Sequence, residues 1–459
     1  MIKPVLEPEF SPAIVEIRKF RDLVAKSPQK SHIILAIERN DGYIYRTEFD
    51  CFADGIDDEY NFFVVERTIK SVLWVIGGFK IYISGSKSIF EKIKAAYQPD
   101  GLRAFDFDFM STVYERKMEV VYCEEKDMPN EVKCSIPVGG KVNGKRIGLD
   151  VGGSDIKVSY VVDGAQIFSE ELAWLPKLQE DINYQYEYLY SALKLAIEKL
   201  GGDCDGIGVS TAGVLVANKP MVSSIFVKVP KVDFEKVKYS YINIINKISK
   251  ELGHDIPFVV ANDGDVTALA GANDLKDGGV LGLAMGTSEA GGYINAEGNL
   301  NGWFSELAFM PVDFNKDAMV DEWSKDFGVG CKYFSQDAVI KLAPRAGIEL
   351  DESLTLAEKL KVVQKHAGEG HKGALQIFKD IGVYLADTIA WYAEFYDIRH
   401  VLILGRVTSG IGGDLILETA RATLKADFPE YKDIEIGMPS EYMRRVGQSI
   451  AAASLPDVK

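Results

Sequence analysis

Apolar positions along this chain switch repeatedly between a period of two and a period near 3.6, and the switches predict its elements. Spacing from Ser11 to Ala25 predicts a helix with Ser11 as its cap and Pro12 just inside. Alternation from Ile33 to Phe49, turned at Asn40-Asp41-Gly42, predicts a hairpin. Phe62 to Ile76 reads as a helix, Lys80 to Ser84 as a strand, and Ser88 to Tyr97 as a further helix after Gly85-Ser86. Ala104 to Phe109 and Met118 to Cys123 read as two more strands. The passage from Glu124 to Lys145, charged and carrying Pro129, Pro137 and Gly139-Gly140, reads as a linker or exposed hairpin.

The pattern then becomes more sharply punctuated. A strand through Ile147 and Leu149 ends on Asp150, Gly152-Gly153-Ser154-Asp155 makes a tight turn, and Ile156 to Val162 forms a second strand before Asp163-Gly164. A helix from Asp181 to Leu200 stops at Gly201-Gly202. Gly206 to Gly213 reads as a buried strand entering a small-residue loop, and Phe234 to Leu252 as one amphipathic helix ending at Gly253. Phe258 to Ala261 is a short strand closed by Asn262-Asp263-Gly264-Asp265, before a small-residue helix from Val266 to Ala272. Val280 to Met285 leads into a loop from Gly286 to Gly292, Tyr293-Ile294 extends again toward a turn at Asn295 to Asn301, and 313 to 335 is irregular. Helices follow at Thr355 to Gln364 and Gly373 to Phe395. Val401 to Leu404 is a strand before Gly405, glycines from 410 to 413 surround a helix start at Asp414, and Glu441 to Ala453 is a last helix.

Composition narrows the classes. A chain of 459 residues, 47% hydrophobic and 11% aromatic, is long and apolar enough for about three folded units. A net charge of −16 argues against nucleic acid as a partner. No apolar run reaches the ~18 residues of a membrane span, and MIKPVLEPEF has no basic and apolar leader pattern. The 5 cysteines are scattered, which suits reduced thiols in a cytoplasm.

The candidate chemistry sits where strands end. Two glycines after a strand let backbone amides approach an anion. Asp150 at that strand's end could hold a hydrated Mg²⁺ beside phosphate. Asp263 follows a strand and precedes a helix, so it can serve as a helix cap, as a general base, or as both. His366 and His371 read as a loop between helices rather than a metal pair.

These stretches, in this order, resemble the ROK family of sugar kinases and repressors, within the actin-like and hexokinase-like ATPase superfamily. The resemblance spans about residues 145 to 455. IGLDVGGSDIKVSYV resembles the family's first phosphate motif, with Asp150, Gly152, Gly153, Ser154 and Lys157. VVANDGDVTALAGA resembles the stretch carrying the family's catalytic base, which implies Asp263 as base and Asn262 as a sugar ligand. LAMGTSEAGGYI resembles the second phosphate loop, through Gly286, Thr287 and Ser288. SELAFMPVD resembles the Glu-x-Gly-His sugar motif with Glu306 in the glutamate's place, VLILG the adenosine-side strand ending at Gly405, and VGQSIAAASL the closing helix.

The resemblance implies an α/β, two-lobed actin-like (ribonuclease H-like) ATPase fold with a central cleft, plus an N-terminal α+β domain. The expected division is 1–140 for that domain, 141–275 for the first lobe with 441–459 returning to it, and 276–440 for the second lobe. It implies a cytoplasmic ATP-dependent carbohydrate kinase using Mg²⁺, with sugar and ATP as partners, no nucleic acid and no membrane, and it allows a homodimer. Residues 30 to 125 repeat the order hairpin, helix, strand-Gly, helix, which suggests a degenerate actin-like subdomain.

Several positions depart from the family pattern. Phe309 stands where the motif has histidine, and the family's cysteine cluster is absent save Cys331, so no zinc is expected. Glu289 places a carboxylate in the second loop, where it would repel a triphosphate unless a cation intervenes or the side chain is turned out. Arg406 follows Gly405 where the family has a glycine run; stacking on a base and simple solvation are both open to it. The alternative reading is a ROK-like ligand-binding or assembly protein impaired in turnover.

Overall fold

The computed structural model describes residues 1–138, 140, 142–440 and 447–458. Gly139 of the linker and the expected helix start at Glu441 lie outside them. The chain divides into two compact units: Met1–Cys134 with Leu283–Gly291 and Gly302–Met438, and Ser135–Gly282 with Gly292–Asn301 and Pro439–Lys459. Of the 1–140 domain expected from sequence, Met1–Cys134 groups with Leu283–Gly291 and Gly302–Met438, and the remainder with the other unit.

In that unit, α1 (Ala13–Lys26) precedes strands β1 (Lys30–Glu38) and β2 (Ile44–Phe52). Ser11 does not cap α1; Pro12 takes the cap position and makes no side-chain cap bond. Helix α2 (Asp58–Ile76), capped by Asp57, is followed by β3 (Lys80–Ser84), α3 (Lys87–Ala96), α4 (Ala104–Tyr114) and β4 (Glu119–Tyr122). The sheet order is β2-β1-β3-β4. β1 pairs antiparallel with β2 and β3, and β3 pairs parallel with β4.

Helix α4 overturns the strand expected at Ala104 to Phe109. Phe105, Phe107 and Phe109 alternate with Asp106 and Asp108, which mimics a strand with one polar face. Asp106, however, is buried, accepting from Lys70 Nζ at 3.0 Å and from the Trp74 indole. Once an acid can be buried against a base, period two no longer separates inside from outside.

The same bases bind distant parts of this unit together. Lys70 lies 3.1 Å from Asp326, Arg67 2.8 Å and Arg103 2.9 Å, while Arg103 also holds Glu66 at 2.9 Å. All five side chains are buried. Burial pushes the Glu66 carboxyl up to about 7. At Asp326 burial opposes ionisation too, but Lys70 and Arg103 outweigh it and hold the carboxyl below its usual range.

The second unit holds β5 (Ile136–Pro137), β6 (Lys145–Val151), β7 (Asp155–Val162), β8 (Ala165–Ala173), α5 (Ile182–Lys199) and β9 (Gly206–Thr211). A hairpin not expected from sequence follows, β10 (Val214–Val216) and β11 (Lys219–Val222), turned at Ala217-Asn218 with positive φ at both. The expected helix from Phe234 to Leu252 is two, α6 (Phe234–Lys238) and α7 (Ser240–Leu252), broken at Tyr239. Then come β12 (Phe258–Asn262) and α8 (Asp263–Leu275).

The five-stranded sheet has the order β12-β9-β6-β7-β8. β6, β9 and β12 are mutually parallel, in the registers Asp150↔Ser210 and Asn262↔Thr211, so their C-terminal ends share one edge. Ile147, Leu149, Ile207 and Val209 pack with Leu189 and Leu193 of α5 and Ile244 and Ile248 of α7 in one core, each worth about 1.5–3 kcal/mol on full burial.

Beyond α8 lie β13 (Val280–Met285), β14 (Glu289–Ile294) and β15 (Asn299–Leu300), then α9 (Gln336–Leu342), α10 (Leu356–Gly368), α11 (Lys372–Tyr392), β16 (His400–Leu404), α12 (Ile411–Asp427), β17 (Glu435–Gly437) and α13 (Gln448–Ala453). In the first unit β17 pairs parallel with β16, and the order continues to β13 and β14. In the second, Ile294 pairs with Leu300, and β15 with β5. Thr355 and Glu358 form a capping box on α10, and His371 caps α11. Helix α13 lies so close on β6 and β9 that a Cβ at Gly148 or Gly208 would sit 1.7 Å from the carbonyl oxygens of Ser449 and Ala452. Any side chain there would push the helix off the sheet.

Candidate active site

Asp150 and Asp263 are brought to the same sheet edge by the parallel register of β6, β9 and β12. Ser210 donates to Asp150 Oδ1 at 3.0 Å, and Lys157, opposite Asp150 in the β6–β7 pair, brings its Nζ within 3.9 Å of Oδ2. Burial, and next to it the negative charge of Asp263, raises the Asp150 carboxyl, against the pull of Lys157 and Ser210, to about 6.

Asp263 is the first residue of α8, and Asn262 is its cap: Asn262 Oδ1 accepts from Gly264 N at 2.7 Å. The cap position thus falls to Asn262, while the Asp263 carboxyl accepts a 3.0 Å bond from Gly264 N. Its carboxyl, half-buried, is raised by burial. Its backbone is fixed from two sides, since its carbonyl accepts from Thr267 at 2.7 Å and from Gln448 of α13 at 3.4 Å. Asn262 is largely engaged, its amide also donating to the Gly213 carbonyl at 2.7 Å. Asp265, not singled out from sequence, is raised by burial and then by the Asp263 charge to about 7, with Tyr293 N donating to it at 3.3 Å.

The turn Gly152–Ser154 follows β6 directly. Ser154 donates to Asp155 at 3.2 Å, while Trp174 donates through Nε1 to the Gly152 carbonyl at 2.9 Å and through its backbone to the Ser154 carbonyl at 3.1 Å. Asp150, Gly152, Gly153, Ser154, Lys157, Asn262 and Asp263 thus all lie in the second unit.

Gly286, Thr287, Ser288, Glu306 and Gly405 lie in the first unit. Gly286 closes its loop, donating to the Ser288 carbonyl at 3.0 Å and accepting from Gln336 N at 2.9 Å, and Thr287 and Ser288 are exposed. Gly405 (φ 103°) ends β16 against β13, where a Cβ would meet the Met285 oxygen at 2.4 Å. Arg406 beside it is exposed.

Glu289 departs from expectation. Its side chain is buried, with Oε1 accepting from Tyr392 at 3.0 Å and Oε2 pressed against Gly330. Burial, with the Glu306 charge added, pushes it up to about 8. A carboxyl that is turned inward and mostly protonated at neutral pH does not repel a triphosphate, so the expected repulsion is absent.

Phe309 is explained by the N-terminal helices. The amides of Phe304, Ser305 and Glu306 donate to Ile76, Val75 and Trp74 at 3.2, 2.9 and 3.0 Å. They satisfy the last carbonyls of α2, which an isolated helix leaves open. This lays the stretch against α2 and α4, where the Phe309 ring centroid is 4.6 Å from Trp74, 5.5 Å from Phe105 and 5.3 Å from Trp323. An imidazole there would bury polar nitrogens among rings. Glu306 itself is half-buried. Among the described residues no group of three or more His, Cys, Asp or Glu is arranged to hold a metal ion, and no helix is long and apolar enough to cross a membrane.

No protein-family model matches the chain, and no curated protein matches it by sequence. Its architecture, in contrast, matches solved structures. The ROK hexokinase from Thermus thermophilus superposes with a TM-score of 0.52 at 17% identity, over 68% of this chain and 97% of that one. A ROK family transcriptional regulator, a homologue of the E. coli MLC protein, superposes at 0.51 and 14% identity, over 68% of this chain and 78% of that one. Over about two thirds of its length the chain shares the α/β fold of these two ROK-family structures, one a hexokinase and one a transcriptional regulator.

Proposed function

We propose that this protein transfers the terminal phosphoryl group of ATP to a hydroxyl of a sugar or sugar derivative, with Asp263 as general base. One observation carries the reading: the Asp263 carboxylate, with Asn262 taking the cap position, stands at the same sheet edge as Asp150 and a glycine turn, where its charge adds to the burial that raises Asp150. Phosphoryl transfer asks the protein mainly for positioning and charge neutralisation. Asp263, raised by burial, is a better proton acceptor than a solvated aspartate and would take the hydroxyl proton as the oxygen attacks. Asn262 would orient the sugar with the amide hydrogen left after its bond to Gly213. The Gly152–Ser154 turn would bind nucleotide phosphate; Gly286, Thr287, Ser288 and Gly405 are proposed as nucleotide contacts, and Glu306 as a sugar contact, from the resemblance of their stretches.

Asp150 fits an indirect Mg²⁺ ligand: a single carboxylate, braced by Ser210, of the kind that shares a hydrated ion with phosphate oxygens. Such an ion would offset phosphate charge. The partners proposed are ATP and a sugar in the cytoplasm.

The test is ADP release with a panel of hexoses, amino sugars and their phosphates, with Asp263→Asn as control. Turnover on at least one sugar that Asp263→Asn abolishes is the expected result. The packing of Phe309 among aromatic rings favours a second reading, a ligand-binding or assembly protein without turnover. Tight nucleotide binding with no turnover on any sugar would establish that one instead.

A further inference from the structure

Lys177 lies across the first glycine turn, and the sequence gives no hint of it. An ideal Cβ on Gly153 would sit 2.5 Å from Lys177 Cε and 2.8 Å from its Nζ. Neither Gly152 nor Gly153 has a positive φ, so backbone conformation does not demand glycine at this turn. What glycine supplies is room above the peptide plane, and an ammonium occupies it.

The lysine is held there by its own segment. Pro176 opens a single helical turn, Pro176–Leu178, that carries Lys177. Leu175 N donates to Tyr184 Oη at 2.9 Å, and Gln185 donates to the Pro176 carbonyl at 3.1 Å. Trp174, just before, ties down the carbonyls of Gly152 and Ser154. Those carbonyls are the groups that would repel an anion over the turn, and both are turned to Trp174.

The two lysines at this turn differ in their partners. Lys157 is 3.9 Å from Asp150 and 3.9 Å from Asp155, so its charge is already offset. Among the described residues no carboxylate lies within ion-pair distance of Lys177, whose side chain is exposed. An exposed lysine without a partner ordinarily extends into water; this one folds over the backbone of Gly153.

We infer that Lys177 is a phosphate-binding residue, pairing with the oxygens of the nucleotide's distal phosphates over Gly153. The inference rests on the proposed nucleotide-binding role of this turn. A point charge acting on the distal phosphates contributes to ATP and to bare polyphosphate, and little to AMP.

Calorimetric titration of the full chain without sugar, using ATP, AMP and inorganic tripolyphosphate as probes, tests it. Lys177→Met is expected to weaken ATP and tripolyphosphate about 10-fold and AMP less than about 2-fold, with a shallower salt dependence for ATP. Lys177→Arg is expected to restore most of the loss. Circular dichroism checks that each variant is folded, which an exposed position should permit. Unchanged ATP affinity in Lys177→Met, or an equal loss for ATP and AMP, would overturn the inference while leaving the nucleotide site standing. Failure of the unsubstituted chain to bind ATP or tripolyphosphate would overturn both.

Discussion

Two sets of buried carboxylates in this molecule are treated in opposite ways. In the first unit Glu66, Asp106 and Asp326 each face fixed bases, Arg103, Lys70 and Arg67 among them, at ordinary ion-pair distances. In the second unit Asp263 adds its charge to both Asp150 and Asp265, and among the described residues the ion pair formed by this trio is that of Asp150 with Lys157, at 3.9 Å. Paired acids hold structure together: even Glu66, raised to about 7 by burial, has its oxygens held by Arg103 and Arg67. The second set has raised proton affinity with fewer fixed bases on its oxygens, which is what a group that exchanges a proton or meets a cationic ligand requires. Glu289 is a third case, isolated and neutralised by its own proton.

The comparison breaks first at Asp263. Asp263→Asn should lower kcat by about 10²–10⁴-fold with little change in Tm, measured by coupled ADP release and calorimetry. An equal loss of stability would mean that Asp263 belongs with the structural acids. Next, Lys70→Met should cost about 3–5 kcal/mol in urea unfolding, since it strands Asp106 and takes one of three bases from Asp326. Adding Asp106→Leu should recover part of that loss. No cost from Lys70→Met would mean that the buried network is not what ties Met1–Cys134 into its unit.

Glu289 tests the third case through pH. Its folded value of about 8 lies above the ordinary glutamate value of 4.5, so the folded chain binds the proton more tightly than the unfolded chain. Stability is therefore full below about 4.5 and declines as pH rises toward 8. Glu289→Gln should be neutral at pH 5 and more stable than the native chain by about 2–5 kcal/mol at pH 9. A difference independent of pH would contradict a buried protonated carboxyl.

Asp150 gives a smaller, kinetic signal. With its carboxyl near 6, kcat/KM should fall as pH drops through that value. Lys157→Met, which removes the neighbour that holds it down, should move this limb to higher pH. The smallest effect belongs to the exposed pair of Arg18 and Glu430, 2.6 Å apart, where Arg18→Ala should cost under about 1 kcal/mol.

The same contrast runs through what could be read from sequence. The repeated order in residues 30 to 125 suggested a second actin-like sheet, and one pair there, β3 with β4, is indeed parallel. Yet β1 meets β3 antiparallel, whereas β6 meets β9 parallel. Order along a chain is local, but the direction in which a strand returns depends on how the intervening helix crosses the sheet.

Local signals alone determined the glycine turns, the strands ending on Asp150 and Asn262-Asp263, the stop after α5 and the capping of α10, because each needs only a few neighbouring residues. Tertiary structure decided everything that depends on which residue is buried against which. It made a helix of Ala104–Tyr114 by pairing Asp106 with Lys70, turned Glu289 inward to Tyr392, packed Phe309 between helices from the far end of the chain, and laid Lys177 over Gly153. A carboxylate's charge, and so its role, is set by its desolvation and its partners, and neither is written in the residues beside it.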